Sequence, residues 1–191
     1  ALFPRYLTFL LSLIFLPAGL FAQFGNSFSG DFPASVSAEM VATGQENQAE
    51  LVVTVEVDEG YFTYGLDPLI DPDAFGPVPT SLGFSGGEYF EPVEKSKWQS
   101  DSPAVKFDQG FETEVRYHDG SVKFWRQFRV LEKPEESTTL EGFIMLQICD
   151  DEICLPPKRL PFEIAYDGNL EPAPETEKSV EEKSSSAKNS D

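Results

Sequence analysis

Apolar and polar positions along this chain are set out for strands. No segment keeps a sustained 3.6-residue apolar period, so no amphipathic helix is expected. Leu51 to Val57 is the clearest strand, rich in β-branched residues. Val36 to Thr43 alternates weakly before it, with a turn at Gly44-Gln45-Glu46-Asn47. After the turn Asp58-Glu59-Gly60, Tyr61-Phe62-Thr63-Tyr64 begins another strand. Thr80 to Phe84 and Glu88 to Val93 read as short strands around Gly86-Gly87, and Glu94 to Pro103 is polar. Phe107-Asp108-Gln109-Gly110-Phe111 reads as a loop with an aromatic residue at each end. Glu112 to Tyr117 and Val122 to Leu131 flank Asp119-Gly120, a hairpin signal. Thr138 to Ile148 and Leu160 to Tyr166 complete the series. Short strands at roughly ten-residue spacing, separated by turn residues, predict an all-β fold, a β-sandwich.

The two ends of the chain depart from this pattern. Arg5 precedes an apolar run from Tyr6 to Phe21, interrupted by Pro17 and Gly19 and followed by Ala22-Gln23. A basic start, a short apolar stretch and a small residue before the cut form the layout of a secretory signal. The expected division is a signal over 1–22, a loose lead-in over 23–35, the domain over 36–166 and a tail over 167–191. From Asp167 onward the residues are mostly Glu, Lys, Ser, Pro and Ala, a composition with little to bury and therefore read as disordered.

Charge narrows the function. The 191 residues hold 33 acidic and 14 basic side chains, a formal charge of −19. Phosphate binding needs clustered Lys and Arg, so nucleic acid is excluded as a partner. Asp67, Asp71 and Asp73 lie in a proline-rich segment, but their spacing fits no calcium loop. A zinc site wants about four good ligands, and the chain offers two cysteines and His118. His118 is expected in the hairpin turn, facing solvent, which sets aside a cysteine–histidine nucleophile. Copper binding lacks the Met and His ligands it would need. No cofactor is called for.

What remains is Cys149-Asp150-Asp151-Glu152-Ile153-Cys154-Leu155-Pro156-Pro157. An exported domain meets an oxidising compartment where two cysteines pair. The acidic turn is expected to set Cys149 and Cys154 on facing arms. A loop this short gains only about 2 kcal/mol on the chain-entropy account, little for a staple. Bridges at tight exposed turns tend to be reducible. Neighbouring carboxylates also disfavour thiolates, so this pair suits electron carriage between specific partners better than unaided attack. The other reading is a non-enzymatic, immunoglobulin-like binding module with a structural disulfide.

The cysteine segment resembles the periplasmic amino-terminal domain of the DsbD family of thiol:disulfide interchange proteins. In that family two cysteines flank a short acidic stretch, followed by an aromatic or aliphatic residue and two prolines. Gly60-Tyr61-Phe62-Thr63-Tyr64, Gly76-Pro77-Val78-Pro79-Thr80 with Leu82-Gly83-Phe84, and Phe107 to Tyr117 are similar to further family segments, in the same order. The likeness spans Val36 to Tyr166. It implies an immunoglobulin-like sandwich with a redox-active Cys149–Cys154 pair, Cys154 being the partner-facing sulfur. It also implies a cap loop whose covering aromatic is Phe107 or Phe111. Asp150, Asp151, Glu152, Pro156, Tyr61 and Tyr64 are then expected near the site. The implied role carries electrons from a membrane-embedded reductase domain to thioredoxin-like periplasmic proteins, such as disulfide isomerases and cytochrome c maturation factors.

Overall fold

A computed structural model describes residues 32–69 and 76–172. The expected signal, most of the lead-in, the tail beyond Pro172 and the aspartates Asp71 and Asp73 lie outside those residues. Among the described residues there is no helix. The chain forms β1 (Ala34–Ala42), β2 (Gln48–Val57), β3 (Phe62–Tyr64), β4 (Ser81–Ser85), β5 (Phe90–Pro92), β6 (Gln99–Ser100) and β7 (Ala104–Asp108). It continues with β8 (Thr113–His118), β9 (Ser121–Val130), β10 (Thr138–Leu146), β11 (Ile148–Cys149), β12 (Lys158–Tyr166) and β13 (Glu171–Pro172).

Three sheets result. The largest runs β13-β1-β2-β9-β5, with β6 also paired to β9; the second is β12-β10-β4; the third is β11-β3-β8-β7. The first two face each other as an all-β, immunoglobulin-like sandwich. Leu51, Val53 and Val55 alternate inward from β2, and Val122, Phe124 and Phe128 from β9. They meet Leu140, Ile144 and Leu146 of β10 and Leu160, Phe162 and Ile164 of β12. Period-two alternation is what lets each strand give one face to this core.

The opposed strands of the second sheet need glycine at two places. A Cβ on Gly142 would stand 2.2 Å from ring carbons of the buried Phe162, its cross-strand partner. A Cβ on Gly83 would stand 2.2 Å from the Phe143 ring, on the opposite, outer face.

Several expectations are corrected. Asp119-Gly120 does not join a hairpin: β8 pairs with β3 and β7, whereas β9 pairs with β2, β5 and β6. The turn, with Gly120 at φ 59°, instead carries the chain from the small sheet into the large one. A tight turn specifies a reversal of direction, and the flanking side chains decide whether its arms pair. Phe107 belongs to a strand, β7, so only 109–112 connects it to β8. The polar stretch before it contains β6. The expected strand from Thr138 to Ile148 is interrupted at Gln147, where the chain leaves the second sheet for the third. Strand structure also reaches past both expected domain bounds. β1 begins at Ala34, β13 pairs in parallel with Val41 and Ala42, and Phe32 and Leu170 pack against the core. His118 is buried at 5% exposure and stacks edge-on against Phe124, rather than facing solvent.

Replacing Gly142 by Ala should lower unfolding stability by about 1–3 kcal/mol, the usual cost of overpacking a core. Gly83→Ala should cost less, because Phe143 is half-buried on the outer face and can swing aside. Urea denaturation measures both; equal costs would show that Phe162 yields as readily as Phe143.

Candidate functional site

The third sheet carries the cysteines. Gln147 anchors the crossing: its main-chain carbonyl accepts the Thr63 hydroxyl at 3.1 Å, and its Oε1 accepts the Val78 amide at 2.8 Å. Ile148 and Cys149 then pair with Thr63 and Phe62. The acidic turn folds back so that Asp150 N donates to Ile153 O at 3.0 Å and Leu155 N to Ile148 O at 2.8 Å. Cys149 and Cys154 become a bridged antiparallel pair with Cα atoms 4.0 Å apart, and their sulfurs are bonded.

Asp150 is the residue that makes this turn. Its Oδ1 accepts the amides of Glu152 at 2.8 Å and Ile153 at 2.7 Å. Those backbone bonds, Ile153's foremost, hold its carboxyl below the usual range. Asp151 and Glu152 carry exposed charge at the tip, beside Ile153 at 61% exposure.

The two sulfurs differ in environment. Cys149 is fully buried among Phe62, Tyr64 and Val115, with Phe111 and Tyr117 packed around them. Cys154 is exposed. An incoming thiol therefore has access to one end of the bond and not to the other.

Tyr64 lies against both sulfurs, its Oη 3.5 Å from Cys149 Sγ and 3.6 Å from Cys154 Sγ. It donates to Asp108 Oδ2 at 2.8 Å. Burial, then the hydrogen bond and charge of Asp108, pushes the phenol well above its ordinary value, so Tyr64 keeps its proton. Asp108 also shapes the connection between β7 and β8, since its Oδ1 accepts the amides of Gly110 at 2.9 Å and Phe111 at 3.2 Å. One carboxylate thus fixes both the tyrosine beside the disulfide and the loop in front of it.

The expected site residues separate on these facts. Phe111 is half-buried, with its ring edge-on to Tyr64 at 6.2 Å. Phe107 is 62% exposed on the outer face of β7 and reaches only the rim. Tyr61 points to the other side of its strand and packs against the main core. Pro156 is exposed beyond Cys154 and does not line the cavity. The cavity at the disulfide measures about 600 Å³ and includes Asp150, Asp151 and Glu152. The sequence reading missed Phe62, Lys106 and Asp108 as site residues. The alternation of β7, with Lys106 and Asp108 on one face and Val105 and Phe107 on the other, was the signal that could have found the last two.

A β-sandwich with a disulfide at the margin of a subsidiary sheet, one cysteine buried and one exposed, fits a thiol–disulfide interchange domain. Residues 31–165 match the family described as thiol:disulfide interchange protein DsbD, N-terminal. The chain belongs to that family. Similar solved structures include the N-terminal periplasmic domain of ScsB from Proteus mirabilis, at 19% identity and a TM-score of 0.45, covering 74% of this chain and 47% of that one. The chain thus spans about half the length of that structure. Another is the Neisseria meningitidis DsbD N-terminal domain in its reduced form, at 14% identity and a TM-score of 0.41, covering 69% of this chain and 85% of that one. No curated protein sequence matches the chain.

Buried His118 sits on β8 beside Thr63, the strand that also positions Tyr64. Burial holds its imidazole below the ordinary value, partly offset by Asp101 and Asp119. Unfolded histidine takes up its proton near pH 6.5, whereas folded His118 resists it. The unfolded chain therefore binds more protons, and stability falls as pH drops below about 6.5 and on through the folded value. In His118→Phe this loss should be smaller between pH 7 and 5, measured by urea unfolding. An identical slope for both chains would assign the acid sensitivity to carboxylates.

Proposed function

We propose that this domain is an exported electron carrier that passes reducing equivalents from a membrane-embedded reductase domain to thioredoxin-like periplasmic proteins. Disulfide isomerases and cytochrome c maturation factors are the acceptor class. The carrying observation is the asymmetric disulfide, Cys154 open and Cys149 buried, with Tyr64 and Asp108 beside it. Arg5 and the apolar run to Phe21 support export.

In the loading step a donor thiolate attacks Cys154 Sγ. The intramolecular S–S bond breaks, and Cys149 leaves with its electron pair as a thiolate. The donor's second thiol then displaces Cys154, leaving the donor oxidised and both cysteines reduced. In the unloading step Cys154 thiolate attacks the acceptor's disulfide and expels one of its sulfurs as a thiolate. Cys149 next attacks Cys154 Sγ, which restores the bridge and releases the acceptor as a dithiol. Two electrons move in each half. The Tyr64 hydroxyl, held protonated within reach of both sulfurs, donates to a transient thiolate when its single proton turns away from Asp108.

Phe111 is the covering aromatic in this reading, and Phe107 belongs to the docking rim. A cover of this kind slows small thiols and yields to a partner that displaces it. Phe111→Ala should raise the rate of reduction by dithiothreitol several-fold, with a smaller change for Phe107→Ala. If neither moves the rate, the cover is not an aromatic of this loop.

Exchange itself is tested with the cysteines. Cys154→Ser should abolish electron transfer to a thioredoxin-like protein while leaving the fold nearly intact. Cys149→Ser should trap a mixed disulfide through Cys154. The wild-type couple should titrate against glutathione at about −270 to −180 mV, above the roughly −300 mV typical of structural bridges. A bridge that resists a reduced thioredoxin-like protein, and whose loss unfolds the domain, would leave the binding-module reading instead.

A further inference from the structure

The cavity at the disulfide is walled by carboxylates and aromatic rings, and of its described lining residues Lys106 alone is basic. Its ammonium is held rather than free. Nζ lies 3.2 Å from the centroid of the Phe62 ring and 4.9 Å from that of Tyr117. Phe62 is the cross-strand partner of Cys149, so the same ring that receives the ammonium flanks the buried sulfur. No ion pair among the described residues involves Lys106, although Asp108 stands two positions along on the same face of β7. A ring face attracts a cation without cancelling its charge, as a carboxylate would.

We propose that Lys106 is the electrostatic counterweight of the cysteine pair, stabilising the thiolates that exchange creates against the negative field of Asp108 and the acidic turn. The inference rests on the thiol–disulfide exchange reading and adds a residue to it. In the loading step the ammonium draws in the donor thiolate and favours Cys149 as it departs with the bonding pair. In the unloading step it raises the fraction of Cys154 present as thiolate, the form that attacks the acceptor disulfide. The surrounding carboxylates act the other way, so without this cation the reduced pair would be a poor nucleophile.

The test uses the full chain, reduced, with iodoacetamide as probe and no protein partner. Alkylation rate is followed against pH for the parent, Lys106→Met, Lys106→Gln and Lys106→Arg. Met and Gln keep most of the stem and remove the charge. Both should move the profile to higher pH and slow alkylation at pH 7 roughly three- to ten-fold, as expected for loss of a single charge from the same cavity. Arg should restore the parent's profile. A purely structural Lys106, whose stem merely covers Phe62, would change the melting temperature and leave the pH profile in place. Neutral variants that overlay the parent, or an Arg variant that behaves like Met, overturn the proposal. Because no partner takes part, failure here leaves the exchange reading standing, whereas failure of exchange with Lys106 intact would count against that reading.

Discussion

The site depends on one change of sheet at Gln147. β10 belongs to the sandwich, yet two residues after its end the chain is paired in a different sheet. The crossing is held because Gln147 satisfies groups on two neighbouring segments, the Thr63 hydroxyl through its carbonyl and the Val78 amide through its side chain. Thr63 is fully buried, and its hydroxyl left without an acceptor would cost about 1–3 kcal/mol, so the position is not neutral. Had the strand continued straight, the cysteines would lie at the end of the sandwich sheet. The crossing instead lays Cys149 against Phe62 and buries it.

Asp108 is the second constraint. Its two oxygens do different work: one closes the turn that carries Phe111, the other accepts the hydrogen bond of the Tyr64 hydroxyl. The loop in front of the disulfide and the hydroxyl beside it are therefore mechanically joined. Movement of the loop that drags Asp108 would also release the Tyr64 hydroxyl, leaving its proton free to turn toward sulfur. The loop and the hydroxyl thus share a single carboxylate, with no long path between them.

The acidic character of the chain takes different forms around the site. Asp150 spends its charge on turn amides, whereas Asp151 and Glu152 face solvent at the tip. Solvent screens exposed carboxylates more than partly buried ones. Asp108, tied to a buried phenol, is consequently the carboxylate that most shapes the interior of the site.

Much of this protein was legible in the residues. β-Branched content in Leu51–Val57, and short strands at roughly ten-residue spacing between turn residues, marked a sandwich, because such residues fit a pleated surface whatever strand they later pair with. The Cys-Asp-Asp-Glu-Ile-Cys turn announced a local bridge, because so few residues leave the two sulfurs little freedom to separate. Pairing between distant strands was not legible. Asp119-Gly120 fits a hairpin equally well as it fits a corner between sheets, and only the packing of β8 against β3 and β7 chose the corner. The break at Gln147 carries no local signal, since its partners lie 84 and 69 positions away. The same holds for Lys106 and Asp108: each is an ordinary strand residue until β7 is set beside β8 and its face closes on the cavity at the disulfide. The residues alone determined which bond would form, and the tertiary structure decided which of its two cysteines is buried and which is exposed.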